Sequence, residues 1–160
     1  MKLSITSIAL AVGVAFAASA QAQQVNERKV EKAEHERIEA AAKADKAKCD
    51  TLKANAKDIC VAEVKGKEKV AKAELDAKHE KDQIKAQKKL SEVKAEAAYD
   101  VAAQKCDDQK GEAKDACIKQ AKVERDRAKG AAEKRADAKE DKRAATGGTA
   151  PAAPEKPKKY

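Results

Sequence analysis

The four cysteines are the residues whose type and spacing could do chemistry. Cys49 and Cys60 bound one segment of the chain, and Cys106 and Cys117 bound a second. The segments start 57 residues apart (106 minus 49) and share Cys-Asp, a lysine three residues later, and Ala-Lys-Asp before the closing cysteine. Thiols in this arrangement could form two disulfides, bind a metal ion, or exchange disulfides with other proteins.

Disulfide formation is the chemistry that the spacing favours. Structural zinc sites usually place paired ligands about two to four residues apart, whereas ten residues separate the cysteines of each pair. Redox-exchange proteins usually carry Cys-x-x-Cys beside a βαβ pattern, and this sequence has neither. We therefore predict disulfides, with no metal ligand and no cofactor.

Four cysteines allow three disulfide pairings. In one straight helix, Cys49 and Cys60 would lie about 16 Å apart, whereas bridged Cα atoms lie within about 7 Å. We expect the chain to turn back inside each segment and form Cys49–Cys60 and Cys106–Cys117. The alternative pairs Cys49 with Cys117 and Cys60 with Cys106 in a compact bundle.

Turn and cap residues lie midway between the paired cysteines. Asn55 is predicted to be an N-cap, with Asp58 three residues later in the first turn of the next helix. Gly111 suits the left-handed residue that ends a helix, and Asp115 occupies the position equivalent to Asp58. Each segment therefore predicts the tip of a helical hairpin.

The elements that position these tips are predicted to be long helices. Residues 24–143 contain no proline and are rich in Ala, Lys, Glu and Arg, which are strong helix formers. We predict an all-α fold of antiparallel hairpins, with a thin coiled-coil-like seam and with repeats at about 39–74 and 96–131. The expected helices cover roughly 26–52, 56–109 and 113–143. A break near residues 79–83 would instead give four helices.

The two ends of the chain have different compositions from this body. Residues 1–22 combine Lys2, an apolar stretch and Ala20-Gln21-Ala22, which together are typical of a secretory signal peptide. We expect a periplasmic body, 23–143, without a transmembrane span. Residues 144–160, which hold all three prolines, are predicted to be a disordered tail.

Composition argues against several classes of function. The formal net charge is +8 and aromatic residues make up 2% of the chain. Acidic residues are interleaved with the basic ones and stacking side chains are scarce, so nucleic acid is not favoured. Anionic envelope components or envelope proteins are the expected partners. His35 and His79 lie among charged residues and are interpreted as solvated, and no catalytic residue is predicted.

Residues 49–50, 54–60 and 61–75 carry a resemblance to a protein family. They resemble a group of small exported bacterial proteins that are rich in Ala and Lys, carry twin Cys-x10-Cys motifs, and are often labelled cell envelope biogenesis protein TolA-like. This resemblance implies a helical periplasmic component and supplies no catalytic residue.

We expect a non-enzymatic structural or spacer role. A periplasmic stress chaperone (holdase) is the alternative, and metal or thiol buffering is a second one. The sequence leaves the oligomeric state open.

Overall fold

Four helices make up the part of the chain that the computed structural model describes, which is residues 15–147, with side chains from residue 28. No strand occurs within this range. The all-α prediction is confirmed. In chain order the helices are α1 (Ala15–Cys49), α2 (Ala54–His79), α3 (Gln83–Cys106) and α4 (Gly111–Ala145).

The helices form an open row in which successive members are antiparallel. Helix α1 contacts α2, α2 contacts α3 and α3 contacts α4, and the described residues make no other contact between helices. Helix α2 has 26 residues and is therefore about 39 Å long. Since α1 and α4 do not meet, the row is not the compact bundle that pairing between the hairpins would require.

The predicted middle helix over 56–109 is wrong, because a turn at residues 80–82 divides it. Asp82 caps α3, and its side chain accepts hydrogen bonds from the backbone N–H groups of Ile84 and Lys85. Gln83 Nε2 donates to the carbonyl oxygens of Ala77 at 3.2 Å and Glu80 at 2.6 Å. These bonds satisfy backbone groups at both new helix ends. The four-helix alternative is therefore the observed one.

The core is narrow and is built mainly from alanine. Nine of the thirteen buried apolar residues are alanines, and no charged or polar residue is buried in the described part. Cys49 packs with Ala42 and Val64 in one cluster, which Cys60 and Val61 cover. Small side chains let neighbouring helices approach closely. Close contacts between helices therefore stabilise the fold in place of contacts between large apolar side chains, which the sequence lacks.

Gly66 marks a close approach of α2 and α3. A Cβ atom added there would lie 3.3 Å from the Cβ of Ala97, which is tighter than ordinary van der Waals contact. The absence of a side chain at Gly66 therefore allows the two central helices to pack.

Ion pairs between neighbouring helices line the surfaces of the row. Lys72 Nζ lies 2.7 Å from Glu39 Oε1 between α2 and α1, and Lys129 Nζ lies 2.6 Å from Glu96 Oε2 between α4 and α3. Lys72 also contacts Glu68 at 3.1 Å. Hydrogen bonds from Lys72 and then from Lys46 lower the pKa of Glu68 below its usual value. The charged residues thus add lateral contacts to a small apolar core.

The predicted signal peptide and the predicted tail both lie partly outside the described residues, and α4 extends two residues into the predicted tail, to Ala145. Helix α1 begins at Ala15, so the described part includes residues 15–22 of the predicted signal, while residues 1–14 are outside it. The described part ends at Gly147, and the tail from residue 148 onward is outside it. None of the helices described has the length and apolarity needed to cross a membrane.

Candidate functional site

Each cysteine pairs within its own segment. Cys49 is bonded to Cys60 and Cys106 to Cys117, and the Cα atoms of each pair lie 5.7 Å apart. That separation is usual for a disulfide. None of the four cysteines is free. Residues 49–60 are called tip 1 below, and residues 106–117 are called tip 2.

Both tips lie at the same end of the row. Tip 1 precedes α2 and tip 2 follows α3, and these two helices run antiparallel from the turn at 80–82. Asn55 Nδ2 of tip 1 donates a hydrogen bond of 2.8 Å to the carbonyl oxygen of Gln104, in the last turn of α3. The beginning of α1 and the end of α4 lie at the opposite end.

An acid–base pair crosses each tip at equivalent positions. Lys57 Nζ lies 2.9 Å from Asp50 Oδ1, and Lys114 Nζ lies 2.8 Å from Asp107 Oδ1. The hydrogen bond to the carboxylate is the main cause of a raised pKa for both lysines. Sequence reasoning missed these pairs, although the recurrence of Cys-Asp and Ala-Lys-Asp in both segments was a signal for them.

The predicted cap roles of Asn55 and Asp58 are wrong, as is that of Asp115. The N-cap residues are Lys53 and Lys110, which have extended backbones and no side-chain cap bond. Asp58 and Asp115 are the fifth residues of their helices, beyond the four unsatisfied N–H groups of the first turn. Asn55 is engaged by α3 instead, which is a tertiary contact that local sequence does not encode.

A left-handed residue begins the second helix of each hairpin. Gly111 has φ +58°, as its predicted left-handed conformation requires, but it is the first residue of α4 and does not end α3. Ala54, its equivalent in tip 1, has φ +49° and is the one non-glycine residue with positive φ in the described part. Alanine is strained in this region because its Cβ crowds the following carbonyl group.

An apolar groove runs along the contact of α2 and α3. It has a volume of about 610 Å³ and is open to solvent. Apolar and small side chains from both helices line it, with charged residues at its edge. The apolar and small residues are Gly66, Val70, Ala71, Ala97, Ala98 and Val101.

The two histidines have different surroundings. His79 is exposed at the end of α2, in keeping with its interpretation as a solvated residue. His35 is half-buried, and its Nε2 lies 3.1 Å from Asp76 Oδ1 on α2, so the same interpretation is wrong for His35. Glu31, one turn before His35, completes a group whose ligand atoms lie within 4.8 Å of one another. This group is a candidate metal site.

No protein-family model, curated protein or solved structure that was compared with the chain matches it.

Proposed function

We propose that this chain is a non-enzymatic structural protein of the bacterial envelope, exported to the periplasm, where its helical row acts as a spacer. The observation that carries the proposal is the placement of both disulfide-locked tips at one end of the row, opposite the start of α1 and the end of α4. A row of this kind holds two rigid tips about 40 Å from the turn at residues 80–82, which is the length of α2.

The chemistry of the tips supports an exported location. Two disulfides close short loops, and such bonds persist in oxidising compartments. In each tip, the residues between the first cysteine and the next helix are exposed. They include Leu52, which has 42% of its surface accessible. Exposed residues on a cross-linked turn are suited to contacting a partner without a large loss of conformational entropy.

The proposed partners are anionic envelope components or envelope proteins. Removal of Lys2 with the signal peptide would leave a formal net charge of +7, since the whole chain carries +8. A positive net charge favours association with anionic surfaces, and this association weakens as the salt concentration rises. The resemblance to TolA-like envelope proteins agrees with this assignment.

Trapping experiments in intact cells test export and oxidation together. Thiols are alkylated before lysis, the periplasm is separated, and the chain is analysed without reductant. We expect a mature chain starting near Gln23 with all four cysteines protected. Deletion of residues 2–22 should leave a cytoplasmic chain with reactive thiols. A full chain found in the cytoplasm with free thiols would contradict the proposal.

Site-specific photocrosslinking tests the role of the tips. A photoreactive amino acid replaces Leu52 in tip 1 or Gln109 in tip 2, and a control variant carries it at the exposed Lys78 at the opposite end. We expect the two tip variants to give the same adduct with an envelope component, and the control to lack that adduct. Equal labelling at all three positions would remove the spacer proposal.

A holdase function is the second candidate, and the apolar groove between α2 and α3 is the observation that favours it. Exposed apolar surfaces of this kind bind unfolded segments in many chaperones. The test is suppression of aggregation of a denatured client at stoichiometric amounts. The variant V70D/V101D should lose suppression, whereas V123D, at a residue 65% exposed on α4, should keep it. No suppression by the wild-type chain would remove this candidate.

A further inference from the structure

We propose that Glu31, His35 and Asp76 bind a divalent transition-metal ion, with Zn²⁺ as the representative case. The site would join α1 to α2 near the end of the row that lies opposite the tips. This inference concerns residues outside the tips and does not depend on the spacer function.

The two residues from α1 lie on the same face of that helix. Glu31 and His35 are four positions apart, and residues with this spacing are neighbours on a helix surface. Both side chains are half-buried, as is that of Asp76. His35 and Asp76 contact each other between α1 and α2, and Glu31 lies within 4.8 Å of both.

The register of the first hairpin explains why Asp76 faces this pair. His35 lies 14 positions before Cys49 and Asp76 lies 16 positions after Cys60. The disulfide fixes Cys49 opposite Cys60, and two antiparallel helices then bring positions at similar distances from the bridge together. The resulting separation between His35 Nε2 and Asp76 Oδ1 is 3.1 Å.

The distances suit a small metal ion. Ligand atoms around a tetrahedral zinc ion are about 3.3 Å apart when each bond is about 2.0 Å. All three candidate ligand atoms lie within 4.8 Å of one another. Small side-chain rotations would therefore bring three ligands to bonding distance, with water as the fourth ligand.

The donor set selects the class of ion. One imidazole nitrogen and two carboxylates suit Zn²⁺ and its transition-metal neighbours, whereas Mg²⁺ and Ca²⁺ prefer sites made only of oxygen ligands. The ammonium group of Lys89 on α3 lies 3.7 Å from Asp76 Oδ2 and competes for the same carboxylate. The site is therefore expected to be of moderate affinity, and removal of the lysine charge should strengthen it.

The location gives the ion a structural effect. The disulfide of tip 1 holds α1 to α2 at one end of their contact, and the metal ion would hold them near the other end. Binding should slow local opening of α1, because an ion that binds only the packed hairpin stabilises it. Helix α4, which has no comparable cluster among its described residues, supplies an internal reference.

Zinc binding by the oxidised full-length mature chain, purified without a polyhistidine tag, tests the proposal. Equilibrium dialysis with metal analysis should give saturable binding of one Zn²⁺ per chain, with moderate affinity. The variant H35Q should weaken binding by at least about tenfold, and E31Q and D76N should also weaken it. H79Q is the matched control and should bind as the wild type does. K89Q should bind more tightly.

Hydrogen exchange followed by mass spectrometry locates the ion. Zn²⁺ should slow exchange around residues 31–38 and leave α4 unchanged, and H35Q should abolish the slowing while retaining its helical circular dichroism. The proposal is overturned if the wild-type chain binds no Zn²⁺, if H79Q weakens binding as much as H35Q, or if exchange slows equally throughout the chain.

Discussion

The first hairpin, α1–α2, and the second, α3–α4, repeat the same disulfide-locked tip in different surroundings. Helix α2 lies between α1 and α3, whereas α4 contacts α3 alone. Some equivalent positions are buried in both hairpins, as with Val64 and its equivalent Ala121. Gly66, however, is buried against α3, whereas its equivalent Val123 is 65% exposed. The structure of the tip therefore follows from the repeated sequence, whereas the difference in burial between positions 66 and 123 follows from the neighbouring helices.

Removal of a disulfide is the largest expected perturbation of this comparison. Because both bridges close loops with a sequence separation of 11, C49A/C60A and C106A/C117A should each lose about 3 kcal/mol of unfolding free energy. Urea unfolding monitored by circular dichroism measures the loss. The first variant should lose more, since Cys49 also packs with Ala42 and Val64. A loss below about 1 kcal/mol in either variant would show that helix packing alone fixes the tips.

Exchange of the residues at 66 and 123 tests the effect of the neighbouring helix. G66V adds a branched side chain where a Cβ atom would already lie 3.3 Å from Ala97, and overpacking of this kind costs about 1–3 kcal/mol. V123G at the exposed position should cost less than about 0.5 kcal/mol. The same urea titrations provide the comparison. Equal costs at the two positions would contradict the close approach of α2 and α3.

The left-handed residues of the tips should respond to substitution with opposite signs. Gly111→Ala should destabilise the chain by about 1 kcal/mol, because it places a Cβ at φ +58°. Ala54→Gly should stabilise it by up to about 1 kcal/mol, because it relieves the same strain at φ +49°. Thermal melting of the oxidised variants measures both changes. Stabilisation by Gly111→Ala would mean that tip 2 has a different backbone path.

Among the described residues, the hydrogen bond from tip 1 to α3 has no counterpart at tip 2. Asn55→Ala removes the 2.8 Å bond to the carbonyl of Gln104, and loss of such a bond costs about 1 kcal/mol. The equivalent residue Glu112 is exposed, so Glu112→Ala should leave stability within about 0.5 kcal/mol of the wild type. Backbone amide exchange near Gln104 provides a local readout. No change there in Asn55→Ala would contradict a link between tip 1 and α3.

The residues that sequence reasoning placed correctly are those governed by local rules. The cysteine spacing, the helix-forming composition and Gly111 predicted hairpin tips because bond geometry and backbone sterics act over a few residues. The partner of Asn55 could not be predicted, because Gln104 is 49 positions away. Similarly, the packing of Gly66 against Ala97 on α3 depends on a residue 31 positions away.

Prediction of the candidate metal site requires both a local signal and a contact between residues distant in sequence. Glu31 and His35 have a spacing that places them on one helix face, and this signal was available in the sequence. Asp76 becomes their neighbour only after Cys49 is known to pair with Cys60, since the alternative pairing would have set another register. A disulfide assignment therefore determines contacts far from the sulfur atoms.

The lysines that cross the two tips provide the smallest and most closely matched test. Lys57→Met and Lys114→Met remove equivalent ion pairs. Because both pairs are at the surface, the losses of stability should be small, equal and reduced by salt.

Hydrogen bonding to Asp50 and Asp107 raises the pKa of these lysines above the usual 10.5. Their contribution is therefore complete at neutral pH and is lost as the pH rises through the raised pKa. Melting temperatures of wild type and variants should converge above that pH. A difference that persists there would mean that the lysine stems stabilise the tips by packing, and unequal losses at neutral pH would mean that the two tips differ in more than their left-handed residue and the contact with α3.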